Sequence, residues 1–156
     1  MTEFSHLDER GAARMVDVSA KQVSARTATA SGRVLVSSDV VALLRTGAVP
    51  KGDALAVARI AAIQAAKRTP DLVPLCHPIA IHAVEVDLQV ADDHVAIEVL
   101  VRTADRTGVE MEALTCVAVA GLALIDMVKA VDPTATITDI RVDEKTGGSS
   151  GTWRRG

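Results

Sequence analysis

The chain has 156 residues, 49% of them apolar, which suits one domain with a real core and excludes a disordered chain. A net charge of −3, and aromatic residues only at Phe4 and Trp153, argue against a basic, base-stacking nucleic-acid surface. The apolar content is dominated by alanine and valine, so the core must rely on close backbone approach, and further burial by self-association is expected.

Residues 1–11 are polar and read as flexible. Glu3, Asp8 and Glu9 stand where a secretory signal would place basic residues, so a cytoplasmic chain is expected, with Cys76 and Cys116 as free thiols. Arg14–Ser19 and Ser24–Val36 read as extended, the second with a turn signal at Ser31-Gly32. Ser37-Ser38-Asp39 caps a short helix over Val40–Thr46 that Gly47 ends. Ala54–Lys67 is a helix apolar almost all round, as in a helix packed on more than one side. Pro70, Pro74 and Pro78 predict a stiff irregular loop over Thr69–Pro78, a good platform for Cys76-His77.

Val84, Val86, Leu88 and Val90 alternate with polar residues, as do Val95, Ile97, Val99 and Val101 after the turn at Ala91-Asp92-Asp93. That is an antiparallel hairpin with one apolar face. Thr107-Gly108-Val109-Glu110 fits a capping box, with Glu110 as reciprocal partner. The helix it opens runs to about Ala130 and is stopped by Asp132-Pro133. Its uncharged stretch, Ala113–Ile125, is short for a bilayer and reads as buried, so no membrane partner is expected. A last strand, Thr136–Val142, precedes a tail, with residues 146–156 read as flexible. The order predicts a single α+β domain over residues 1–156, with helices on one face of a mainly antiparallel sheet.

Asp126 and Lys129, three apart, share a helix face. Such a pair is either an acid/base device or a surface ion pair. The apolar segment before it places it at the mouth of a buried region, where burial would shift its pKa values. Glu112, in the first turn of the same helix, suits the helix dipole. It lies 14 residues from Asp126, about 21 Å of helix rise, so the two barely meet one small substrate within one subunit. If both act, a second copy supplies one of them. Lys51, Lys129, Lys145, Arg14, Arg26 and Arg102 are candidate phosphate contacts, Lys51 before a helix start and Lys145 before Gly147-Gly148. His77 reads as a neutral hydrogen-bonding or proton-transfer group and Cys76 as a small buried side chain. The four histidines show no compact metal-ligand spacing, so no metal site is assigned.

Several segments together carry a resemblance. They include Met15-Val16-Asp17-Val18-Ser19, Lys51-Gly52-Asp53, Pro74-Leu75-Cys76-His77-Pro78, Arg106-Thr107-Gly108-Val109-Glu110-Met111-Glu112-Ala113-Leu114, Asp126-Met127 with Lys129-Ala130, and Glu144-Lys145. From about His6 to Gly151 the chain resembles the MoaC family of molybdenum-cofactor biosynthesis, the cyclic pyranopterin monophosphate synthases. The resemblance implies a ferredoxin-like subunit and a homohexamer built as a trimer of dimers, with sites at dimer interfaces. It implies a small-molecule substrate, a 3′,8-cyclised dihydro-GTP, converted without net redox change to the cyclic pterin monophosphate and pyrophosphate. Asp126 is then the expected general acid/base with Lys129 beside it. Lys51 and Lys145 are expected to assist in proton transfer or phosphate binding. Leu75, Cys76, His77, Glu110, Met111 and Glu112 are expected to line the site. No cofactor is implied, and magnesium accompanying the triphosphate stays open. The family tail often carries a lysine after the double glycine, where this chain has Ser149-Ser150. Two other readings compete: a metal-dependent nucleotide cyclohydrolase using Cys76, His77 and another histidine, and a non-catalytic nucleotide-binding relative.

Overall fold

The computed structural model describes residues 5–156. The part of the expected flexible N-terminus at residues 1–4 lies outside them. Strand β1 spans Ser24–Leu35, followed by helices α1 (Ser38–Thr46) and α2 (Ala54–Leu72). The hairpin β2 (Ala83–Val90) and β3 (His94–Asp105) leads into α3 (Glu110–Val128), and β4 (Thr136–Thr146) and β5 (Trp153–Arg154) close the chain. The five strands form one antiparallel sheet in the order β2-β3-β1-β4-β5. This is the expected α+β, ferredoxin-like arrangement.

Local chemistry accounts for most boundaries. The Ser37 hydroxyl accepts from the Val40 N–H to cap α1, and the Asp53 carboxylate accepts from the Ala56 N–H to cap α2. In the hairpin, Val95, Ile97, Val99 and Val101 turn inward while Glu98 and Arg102 face solvent. Helix α3 lies over β1, β3 and β4, and α2 packs on α3 and β2. The opposite face of the sheet is polar, with Arg33, Asp87, Glu98 and Arg141 around an open groove.

The small-residue core works through nearness. A Cβ added at Gly32 in β1 would stand 2.7 Å from Val117 Cγ1 of α3. Ala54, Ala58, Ala62 and Ala66 make a buried stripe along α2, at the four-residue spacing that brings two helices close. By composition and length α3 could cross a membrane, yet half of it is buried between α2 and the sheet.

Five expectations are corrected. Arg14–Ser19 joins no strand of the sheet; only Ala13 makes a bridge, to Leu7. Ser31-Gly32 is no turn but lies within β1, because the glycine is needed under α3 and the strand takes an irregular register there instead. Pro70 does not end α2, which runs on to Leu72: the proline takes the donor from the Ala66 carbonyl alone, and the Val73 N–H still bonds the Thr69 carbonyl beyond it. Strand β4 continues beyond Val142 to Thr146, because residues 144–146 pair with Thr27–Thr29 of β1. The tail is not wholly irregular, since Trp153 and Arg154 return to pair with Lys145 and Glu144.

Candidate functional site

Chemistry gathers at the two ends of α3. At the N-terminal end, Glu110, Met111 and Glu112 line a cavity of about 440 Å³. Leu75, Cys76 and His77 form another part of its wall, brought there by the loop that follows α2. His77 Nε2 donates to the carbonyl oxygen of Val16 at 2.5 Å. A carbonyl only accepts, so Nε2 carries the proton of this bond. The segment Met15–Ser19, which the sequence suggested as a strand, therefore serves to hold this ring.

Glu112 is 3% exposed. Burial pushes its carboxyl up to about 7, and the nearby charge of Glu110 adds to the rise. A carboxyl that titrates near neutrality can both give and take a proton. The first-turn position had suggested only a helix-dipole role; its depth in the cavity could not be read from spacing. Cys76 is half-buried rather than buried, and it faces the same cavity as His77. Burial, helped by Glu112, pushes its thiol up, which leaves little thiolate for nucleophilic chemistry. Cys116 is fully buried in α3, its thiol raised by burial to about 12.

The capping box does not form. Val109 occupies the N-cap and no side chain caps the helix. Glu110 folds back over Gly108 instead, and Lys145 Nζ donates to its Oε1 at 2.9 Å. An ion pair with a lysine of β4 replaces the reciprocal bond to the N-cap backbone N–H, and it ties the end of the sheet to the start of α3.

At the C-terminal end, Lys129 Nζ lies 2.7 Å and Lys51 Nζ 3.3 Å from Asp126 Oδ1. Lys51 Nζ also donates to the main-chain carbonyl of Asp126 at 2.9 Å. Position before α2 had suggested that Lys51 works at that helix's start. It reaches across to the other helix's end, where unpaired carbonyls attract a cation. Asp126 is 57% exposed on its side chain. Its carboxyl is held below the ordinary range first by the bond from Lys129 and then by Lys51. Burial does not dominate here, contrary to expectation. The result is an ionised carboxylate between two amines, accessible to a reacting group.

The structure thus assembles the predicted residues into two groups, with Leu75, Cys76, His77, Glu110, Met111, Glu112 and Lys145 in one and Lys51, Asp126 and Lys129 in the other. An unbroken helix separates them by about 21 Å of rise from Glu112 to Asp126. Arg102 pairs with Glu85 across strands, and Arg14 and Arg102 join neither group. Among the described residues, no three His, Cys, Asp or Glu side chains converge on one point. Two contributors went unnamed as functional residues in the sequence reading: Val16, through its carbonyl, and Lys21, on the cavity wall. The Met15–Ser19 segment of the resemblance includes Val16 and stops short of Lys21.

Comparison with known proteins came to the same place. The MoaC family pattern matches residues 15–148. A cyclic pyranopterin monophosphate synthase of Streptomyces avermitilis is 70% identical over 152 residues, covering 97% of this chain and 89% of the relative. One from Nocardioides is 68% identical over 155 residues, covering 97% and 95%. A protein of Mycobacterium tuberculosis named cyclic pyranopterin monophosphate synthase 2 is 60% identical over 153 residues, covering 98% and 92%.

Proposed function

The chain belongs to the MoaC family, and from that premise we propose that it converts 3′,8-cyclo-7,8-dihydro-GTP to cyclic pyranopterin monophosphate and pyrophosphate in molybdenum cofactor biosynthesis. The observation that carries the reading is the pair of differently tuned acid groups at the two ends of α3.

The reaction opens the purine's five-membered ring, closes the pterin and pyran rings, and lets a ribose-derived hydroxyl attack the α-phosphate. Ring opening and closure need proton transfers near neutral pH. Glu112, titrating at about 7 in the cavity with His77 and Cys76, suits the nitrogen-rich ring system. The attacking hydroxyl must lose a proton, and the ionised Asp126 is placed to take it while Lys129 and Lys51 offer positive charge to the phosphate oxygens. Lys145, held by Glu110, adds a cation to the N-terminal group.

Within one chain the two ends of α3, about 21 Å apart, barely meet one small molecule. The reading therefore places each site between two copies, the N-terminal end of one α3 facing the C-terminal end of the other. Val57, Ile60 and Leu122 stand exposed on the helix layer, apolar surface suited to covering by another copy. A homohexamer built as a trimer of dimers, working in the cytoplasm without a resident cofactor, completes the proposal; magnesium would enter with the triphosphate.

The direct test is incubation with the cyclised nucleotide, followed by assay of pyrophosphate and of the pterin product. Release of both in equal amounts is the expected result, and intact binding without conversion would overturn the activity.

A further inference from the structure

Strand β3 outruns its partner β2. Their ladder ends at the pair Ala83 and Arg102, and β3 continues to Asp105. Over that overhang β1 still pairs with β3 on one side, Ser24 opposite Asp105. On the other side runs the segment that follows His77, where side chains stand in for the missing ladder. The Thr103 hydroxyl donates to the carbonyl of Ala80, and Asp105 Oδ2 accepts from the Ala80 N–H at 3.1 Å. Thr103 and Asp105 are two apart on one strand and so face the same side. Between them they take both backbone polar groups of Ala80. The His82 N–H then bonds the Arg102 carbonyl at 2.9 Å, where the regular ladder begins.

The second carboxylate oxygen works on the chain ahead. Asp105 Oδ1 accepts from the Arg106 N–H at 2.7 Å. One carboxylate thus joins two segments. The first leads back through Pro78 to Leu75, Cys76 and His77, and the second leads on through Thr107 and Gly108 to Glu110, Met111 and Glu112. Both segments wall the cavity at the start of α3. Asp105 itself stands outside that cavity, in a neighbouring hollow of about 620 Å³ whose wall it shares with His77 and Thr107. Its own backbone is anchored, because Arg26 of β1 donates to the Asp105 carbonyl at 3.2 Å and to the Arg106 carbonyl at 3.3 Å. The bond from the Arg106 N–H, and after it the one from Ala80, outweighs desolvation and holds the Asp105 carboxyl below the ordinary range. It is ionised at neutral pH, with both oxygens free to accept.

Resting on the family reading, we infer that Asp105 is a positioning residue for the reaction: its hold on Ala80 and Arg106 together sets the gap across which His77 and Glu112 address one ring system. Ala80 follows His77 by three residues, and Pro78 stiffens the span between them, so a shift at Ala80 is passed to the imidazole. A displacement of about 1 Å in such a geometry costs on the order of a hundredfold in rate.

Two substitutions in the full chain grade the hold. Asp105→Asn keeps one accepting oxygen and loses the other, whereas Asp105→Ala loses both. Turnover of the cyclised nucleotide should fall about fivefold in the first and about thirtyfold or more in the second. The loss should lie in kcat rather than KM, because Lys51, Asp126 and Lys129 at the other end of α3 are untouched. Both variants remove the same charge, so equal losses would mean that charge alone matters and would overturn the clamp. The rate at which Cys76 reacts with dithiobis(nitrobenzoate) reads the same gap without any turnover. Cys116 is fully buried, so the native chain offers one half-buried thiol. That rate should rise from parent to Asp105→Asn to Asp105→Ala while far-ultraviolet circular dichroism stays unchanged. Should Asp105→Ala fail to fold, Asp105→Asn against the parent decides. Asp92→Asn, which removes an equal charge from an exposed pair with Arg45, should alter neither readout. Unchanged Cys76 reactivity in the Asp105 variants overturns the positioning role, even in a protein that turns over normally. Graded Cys76 reactivity in a protein that never converts the cyclised nucleotide keeps the clamp and removes the activity.

Discussion

In its first turn α3 buries Glu112 and raises its carboxyl to about 7; near its last turn it exposes Asp126, which Lys129 and Lys51 hold below the ordinary carboxylate range. The two acids share one helix, and their surroundings drive them in opposite directions. Desolvation acts on the first and bonded amines on the second, so one element delivers a group that titrates near neutrality and another that stays ionised. Acid strength in this fold is set by what packs around a helix end.

The sharpest way to break the contrast is Asp126→Asn. Turnover should fall by about a hundredfold or more, the range of a lost general base. Circular dichroism and sedimentation should match the parent, since the side chain is largely in solvent. A variant that keeps full turnover would remove Asp126 from proton transfer.

Complementation comes next. Asp126→Asn and Glu112→Gln should each be deficient alone. Refolded together in equal amounts, they should recover about a quarter of the parent's activity, because half of the pairs are mixed and each mixed pair holds one intact site of two. No recovery would place both ends of the site in a single chain.

The smallest effect is on stability. The folded Glu112 carboxyl, at about 7, lies above its unfolded value of about 4.5. Between those values the native state binds more protons than the unfolded one, so stability falls as pH rises and the full cost is present only above 7. Glu112→Gln should therefore be close to neutral near pH 4.5 and stabilising by up to about 3 kcal/mol at pH 8. Melting scans at the two pH values check this. An equal change in Tm at both would mean that burial is not what raises the carboxyl.

What the sequence disclosed follows the range of the interactions. The hairpin and the cap of α1 depend on neighbours within a few residues, and period and composition showed them. Gly32 looked like a turn because its reason for being small, the side chain of Val117, lies 85 positions away. The same holds for Glu110: local pattern offered a capping box, and Lys145 outbid it from another element. The resemblance offered the site residues as one set, and their division into two groups needed the fold. Lys51 shows this best, since nothing near it in sequence indicates that it reaches Asp126. The buried state of Glu112 was hidden for the same reason.

The returning strand β5 has a practical consequence. Trp153 is the only tryptophan, and the chain has no tyrosine. Its indole lies opposite Lys145 in the β4–β5 ladder, with Arg155 5.5 Å from the ring centroid. Intrinsic fluorescence of the native chain therefore originates almost wholly from one spot, beside the lysine that steadies Glu110. Any occupant that draws Lys145 away from its carboxylate has an emission reporter already installed, and no dye or engineered label is needed to follow it.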